Sequence, residues 1–366
     1  MTGHVAIHHR TRSFSERWIA YCETHAIPYK VVNCLDSNII EQLTSCDCLL
    51  WHWSHQDPRE QLVARHVIMA AEARGIKVFP SSSTCWYYDD KIAQKYLLEA
   101  IDAPFVPTYV SYDLHETLRW IDQASYPKVF KLRRGASSSN VKLVRSAGEA
   151  RALAQRAFSA GFSPIPHYGN DVVTRYRAAR RKGDLLNAVK RFPQALATIR
   201  DKKKMMGYEK GYVFFQDFIP GNRFDTRVTV IGDRAFAFTR NVRPGDFRAS
   251  GSGDVVFDGG RINQKCLEIA FAVARKIGSQ SMAFDFVTGQ DQHPLIVEVS
   301  YCYCMLVYSC SGYWDAKLNW HEGHFWPQDA VLIDLLNGVC GSERYRVCPD
   351  TVSLVTLAEN ATVATV

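Results

Sequence analysis

Asp285 and Glu298 each interrupt an apolar run that otherwise reads as a buried strand, "MAFDFV" and, thirteen positions later, "IVEVS". A carboxylate buried without a partner is expensive. It keeps its charge only beside a cation, a hydrogen-bond donor or a metal. The segment "TGQDQH" joins the two runs and lets the strands lie side by side. Two inward acids on adjacent strands make a hard-oxygen pair suited to a divalent cation.

A second stretch has the composition of a phosphate cradle. "YPKVFKLRRGASSSNVKLV" reads as strand, turn and strand around Gly135-Ala136-Ser137-Ser138-Ser139. Small residues there let backbone N–H groups approach phosphate oxygens closely. The turn lacks both GK[ST] and GxGxxG, so a P-loop and a dinucleotide fingerprint are excluded. Other chemistry-bearing residues are less organised. His52 and His55, and again His321 and His324, lie three apart, but no third ligand stands in register, so a structural role is expected for both pairs. The eleven Cys include no CxxC pair and read as reduced, packed thiols.

The elements that must position these residues follow from patterning. "HVAIHH", "YKVVNC", "CDCLLWHW" and "IKVFPSS" read as strands alternating with helices "SFSERWIAYCETHA" and "DPREQLVARHVIMAAEARG", the latter opened by Asp57-Pro58. That alternation implies a covered parallel sheet whose strands point their carboxyl ends at ligand. Arg10 and Arg12 lie at such an end and are fit for forked recognition of a carboxylate. A helix is expected from about Asp90 to Ala100. "GYVFFQDFIPG" reads as a strand with a polar end, and "FDTRVTVIGDRAFAFTRNV" as a hairpin turned at Gly232-Asp233. "GDFRASGSGDVVF" is a Gly/Ser loop, and "QKCLEIAFAVARKIG" a helix stopped by Gly278.

At 366 residues the chain is long enough for two or three domains, and no run of about 18 apolar residues implies a membrane span. The net charge of +7 is concentrated: residues 175–210 hold twelve Lys and Arg against three Asp and Glu, which leaves the remainder slightly acidic. This stretch reads as a solvated charged helix pair or as a basic flap over a phosphorylated ligand. A nucleic-acid surface is disfavoured, because stacking aromatics are limited to Tyr176, Phe192 and Tyr208.

Taken in order, "FDTRVTVIGDRAFAFTR", "GDFRASGSG", "EIAFAVARKIG", "AFDFV" and "IVEVS" resemble the ATP-grasp superfamily, in particular its branch of ribosomal-protein glutamate ligases. The resemblance spans roughly residues 85–305. It implies a three-domain ATP-grasp fold of α/β and α+β type with an N-terminal parallel-sheet domain. Its divisions fall at 1–103, 104–210 (lid), 211–340 (metal site) and 341–366 (tail). ATP would lie between two of the domains, with one or two Mg²⁺ ions. Lys91 and Lys131 correspond to lysines on the phosphates, and Gly135 to Asn140, including Ser137 and Ser138, to the closing loop. Gln216, Asp217, Phe218 and Ile219 correspond to the adenine hinge, and Asp225 to a ribose ligand. Arg227, Arg240 and Arg248 fall near the reacting phosphate; Asp285 and Glu298 match the metal carboxylates. The family usually places Asn where Ser300 stands, and a hydroxyl reaches less far.

The implied function is a cytoplasmic ATP- and Mg²⁺-dependent ligase joining a small-molecule carboxylate to an amine through an acyl phosphate. A homo-oligomer is compatible with this reading. The "GYWD…LNWHEG" tail resembles ATP-grasp proteins of surface-polysaccharide biosynthesis, which implies an amide between an amino acid and a sugar acid. Two alternatives stand beside the ligase: a kinase acting on a small-molecule hydroxyl, and a non-catalytic nucleotide-binding protein.

Overall fold

The computed structural model describes residues 4–135, 140–163, 205–289 and 291–340. Ser137, Ser138, most of the basic stretch and residues 341–366 lie outside them. The chain divides into two compact units, one of residues 1–88, 93–105 and 219–366, the other of residues 89–92 and 106–218.

The first unit opens with β1 (His4–His8), α1 (Phe14–Thr24), β2 (Tyr29–Val32), α2 (Ile39–Gln42), β3 (Cys46–Leu50), α3 (Pro58–Ala73), β4 (Lys77–Phe79) and α4 (Ser82–Cys85). The strands form a parallel sheet in the order β2-β1-β3-β4. The caps follow from residue type: Ser13 accepts from Ser15 N–H at α1, and Asp57 from Arg59 N–H at α3, with Pro58 supplying a helical φ at the first position. The helix expected near residues 90–100 is α5 (Lys91–Ala100).

The same unit contains β9 (Phe224–Ile231), β10 (Arg234–Asn241), β11 (Val255–Val256), α8 (Gln264–Ile277), β12 (Ser281–Thr288), β13 (Pro294–Ser300), β14 (Gly312–Asp315), β15 (Trp320–Glu322) and α9 (Pro327–Cys340). Here a seven-stranded sheet runs β13-β12-β9-β10-β14-β15, with β11 on β10. Gly232 takes φ +55 at the β9–β10 turn, and Gly278 closes α8 in the left-handed conformation. One face of this sheet packs Val228, Phe284, Phe286 and Val299 against Leu267, Ala270 and Phe271 of α8. Phe236, Phe238 and Ala283 join Trp18, Trp51, Trp53 and α9 residues in a core shared with the parallel sheet.

The second unit carries β5 (Thr108–Ser111), α6 (Leu114–Gln123), β6 (Lys128–Lys131), β7 (Val141–Val144), α7 (Ala147–Ala157) and β8 (Val213–Asp217). Its antiparallel sheet is ordered β5-β8-β6-β7, with Phe130, Phe215 and Val213 packed against Ile121, Ala150 and Ala154. The β6–β7 pair, from Lys128↔Val144 to Lys131↔Val141, supplies the two expected strands, and the turn expected between them lies mostly outside the described residues.

Candidate functional site

Register on the seven-stranded sheet brings the charged residues together. Asp225 and Arg227 are two apart on β9 and therefore share a face. Across the ladders, Arg240 of β10 pairs Asp225, Asp285 of β12 pairs Arg227, and Glu298 of β13 pairs Asp285. Directly opposed residues place their Cβ atoms about 5 Å apart. Four neighbouring strands thus gather three acids and two arginines in one patch.

The patch is tightly bonded. Arg227 forks onto Asp285, Nε to Oδ1 at 2.7 Å and Nη2 to Oδ2 at 2.8 Å. Arg240 forks onto Asp225 at 2.8 and 2.6 Å and also reaches Asp285 Oδ2 at 2.9 Å. Burial alone would raise the Asp285 carboxyl, but the guanidiniums of Arg227 and Arg240 outweigh it and hold that group well below the ordinary carboxylate range. At Asp225 burial prevails over Arg240 and the carboxyl is raised. Burial works against the Arg227 cation too, yet Asp285 more than offsets it and holds its pKa above the usual value.

Asp285 and Glu298 offer hard oxygens from adjacent strands, the donor type a magnesium ion takes. Asp285 Oδ2 takes both guanidiniums, while Oδ1 accepts one arginine hydrogen bond and keeps a lone pair for a cation. The donor set therefore fits such an ion. Ser300 Oγ accepts Cys302 N–H at 3.2 Å, and its second lone pair leaves it able to bind through water or directly. Among the described residues no cluster of three or more His, Cys, Asp or Glu is disposed to hold a metal. Arg248 turns onto Asp246, with Nη2 to Oδ2 at 2.6 Å. That hydrogen bond, set against a weaker burial effect, lowers the Asp246 carboxyl. The Asp246 partner was not anticipated; its position two residues before Arg248 in a Gly-rich loop was the available signal.

The second unit holds the other set of expected residues. Lys131 and Gln216 are buried on neighbouring strands, and Lys131 Nζ donates to Gln216 Oε1 at 2.6 Å; Gln216 Nε2 donates in turn to Thr108 Oγ1 at 3.2 Å. Lys128 pairs with Asp217 across the same ladder. Lys91 Nζ donates to Gly135 O at 2.7 Å, while Gly135 N–H donates to Asp89 at 3.0 Å. Gly135 is thereby gripped at both backbone groups, with φ +130. This role of Asp89 was missed, although the "DDK" run at 89–91 marked it. Phe218 ends the second unit. Ile219 opens the returning segment of the first, where Asn222 Nδ2 donates to its carbonyl at 3.3 Å.

The paired histidines serve the fold. His52 stacks on Phe14, accepts Phe14 N–H at Nδ1 (3.2 Å) and faces Cys302 Sγ with Nε2 at 2.9 Å. His55 meets Tyr88 Oη at 2.9 Å. His321 bonds Asp315 and stacks on Tyr313, and His324 lies beside Tyr308.

Residues 192–304 match the model of the RimK-like ATP-grasp domain. Over that stretch the chain is similar to the RimK-like ATP-grasp domain. The fold agrees with solved ATP-grasp structures. A RimK-domain ATP-grasp protein from Sphaerobacter thermophilus DSM 20745 is 17% identical, with a TM-score of 0.51 over 81% of this chain and 90% of that one. The ATP-grasp ligase PsnB, complexed with minimal precursor, Mg and ADP, is 12% identical, with a TM-score of 0.52 over 93% of this chain and 99% of that one. An N5-carboxyaminoimidazole synthase from Aspergillus clavatus, in complex with ADP and 5-aminoimidazole ribonucleotide, is 12% identical, with a TM-score of 0.54 over 92% and 77%. No curated protein matches the chain significantly. The mixed α/β architecture with its N-terminal parallel sheet is the expected ATP-grasp fold. No helix among the described residues is long and apolar enough to cross a membrane.

Proposed function

We propose that the protein is an ATP- and Mg²⁺-dependent ligase that activates a carboxylate as an acyl phosphate and passes the acyl group to an amine. The observation that carries this is the single-face assembly of Asp225, Arg227, Arg240, Asp285 and Glu298 on four adjacent strands. Phosphoryl transfer demands positioning and charge neutralisation more than a protein nucleophile. Arg227 and Arg240 are fixed cations, each held by carboxylates, and need no reorganisation when charge moves onto the transferring group. Arg227 and Arg240 hold the Asp285 carboxyl in its ionised form, and Glu298 adds carboxylate oxygens from the adjacent strand. Bound there, Mg²⁺ would neutralise phosphate oxygens and orient them for in-line attack.

In this reading Lys91, Lys131 and Gly135 contact phosphates. Gln216, Asp217, Phe218 and Ile219 line the adenine edge, Asp225 meets the ribose, and Arg248 reaches the phosphate from its loop. Ser137 and Ser138 belong to the closing loop, and Ser300 is a neutral ligand to the metal. Domain divisions near 103, 210 and 340 belong to the same proposal. The nine cysteines from Cys22 to Cys310 are free, which suits the reducing cytoplasm. The same proposal makes the acid a sugar acid and the amine an amino acid, with the exposed Trp320 of β15 as the ring open to a pyranose face.

The test is ADP release with MgATP over a panel of amino acids and uronic acids, with hydroxylamine present to trap acyl phosphate as hydroxamate. Hydroxamate formed with stoichiometric ADP is the expected result. A stable phosphate monoester formed without any hydroxamate would establish the kinase instead, and no ADP with any acid would overturn both readings.

A further inference from the structure

One cation of the first unit is left underused. Arg10 follows β1 by two residues and stands at the carboxyl end of the parallel sheet, beside His52 in the corresponding position after β3. Its Nη2 donates to His52 O at 3.3 Å, and its Nε approaches Glu60 Oε1 only to 3.9 Å. That Nε is enclosed and has no hydrogen-bond partner. Glu60 is itself almost wholly buried, accepting Ser54 N–H and lying 3.7 Å from His8 Nε2. His8 Nδ1 accepts Cys34 N–H at 2.9 Å, so the neutral ring turns its protonated nitrogen toward Glu60. Glu60 thus anchors the Arg10 stem without using its donors. A guanidinium has five N–H groups, and among the described residues this one commits a single hydrogen bond, with 34% of its side chain exposed. An ordinary surface arginine would be neither enclosed at Nε nor tied to a carbonyl.

What lies between Arg10 and the reacting cluster decides its use. Cys302, two residues beyond Ser300, faces His52 Nε2 at 2.9 Å. His52 accepts a backbone N–H at Nδ1, so its Nε2 carries the proton and cannot deprotonate the thiol. Cys302 N–H in turn donates to Ser300 Oγ at 3.2 Å, so Arg10, His52 and Cys302 form one bonded path to the end of β13. No charged side chain stands on that path, and it suits the middle of a substrate rather than a nucleophile.

We infer that Arg10 is a specificity-determining residue that receives a second oxyanion of the acid substrate, so that this substrate is a dianion with one carboxylate activated beside Arg227 and the other group forked by Arg10. This rests on the ligase reading above. The forked guanidinium fits either a carboxylate or a phosphate-like group.

The experiment titrates glutarate, 3-phosphonopropanoate and butyrate by calorimetry into the full chain saturated with MgADP. It is repeated with Arg10→Met, which keeps the stem, and Arg10→Lys, which keeps the charge but not the fork. In the wild type at least one dianion should bind about tenfold or more tighter than butyrate, and which dianion is favoured identifies the second group. Arg10→Met should abolish the preference and Arg10→Lys retain part of it, with MgADP affinity unchanged in both. Equal affinities for dianions and butyrate, no binding of any of the three, or a preference that survives both substitutions would overturn the inference. Failure of the ligase reading is seen separately, as absence of MgADP binding to the wild type.

Discussion

Arg227 and Asp285 form an enclosed, two-point charge pair of the candidate site, with side chains 18% and 9% exposed. Removing one partner of such a pair leaves a buried charge, which costs about 3–5 kcal/mol. Arg227→Met should therefore lower the free energy of unfolding by a few kcal/mol in a denaturant titration. A fall of under ~0.5 kcal/mol would mean that Arg240 alone satisfies Asp285. The same pair sets an acid limb. The folded-state pKa of Asp285 lies well below its unfolded value of about 4. Its stabilisation is thus complete above that unfolded pKa and is lost as pH falls through the folded one. Asp225, whose carboxyl is raised, contributes with the opposite sign. Melting temperature should fall steeply below about pH 4 in the wild type and less steeply in Asp285→Asn. Parallel acid limbs would assign the loss to other carboxylates. The two acids themselves were legible in the sequence because each broke an apolar strand; their arginine partners were legible only as cations near phosphate, since strand register is a long-range property.

At the scale of elements, the strands and helices that position the site were readable because their signals are local. Asp57-Pro58 opened α3, Gly278 closed α8, and Gly232-Asp233 turned β9 into β10. The short β11, β14 and β15, and the helix α9, left no comparable trace. Their residues gain structure from pairing with β10 and from packing in the shared core rather than from their own periodicity. Gly161 shows how tightly one connection is built. It takes φ +72, and a Cβ there would stand 2.8 Å from Glu209 O and 2.9 Å from Lys210 Cβ. Gly161→Ala should cost about 1–3 kcal/mol, read as a lowered unfolding midpoint. An unchanged midpoint would mean that the Phe162–Glu209 bridge yields freely.

At the scale of the whole molecule, the ATP-grasp fold was legible because five separated motifs kept their order and spacing, which no single residue could have shown. At this scale stands the proposal that Asp285 and Glu298 hold the magnesium that binds with ATP. Nucleotide that binds the folded chain alone stabilises it by mass action, about 2.7 kcal/mol at a hundredfold excess over Kd. MgATP should accordingly raise the melting temperature more than ATP with chelator does. The most direct measurement is a calorimetric titration of ATP into wild type and Glu298→Gln at a series of magnesium concentrations. The account predicts that wild-type affinity tightens with magnesium, while Glu298→Gln binds metal-free ATP equally well and loses most of that tightening. The same magnesium dependence in both proteins, or no binding of ATP to the wild type, would contradict it.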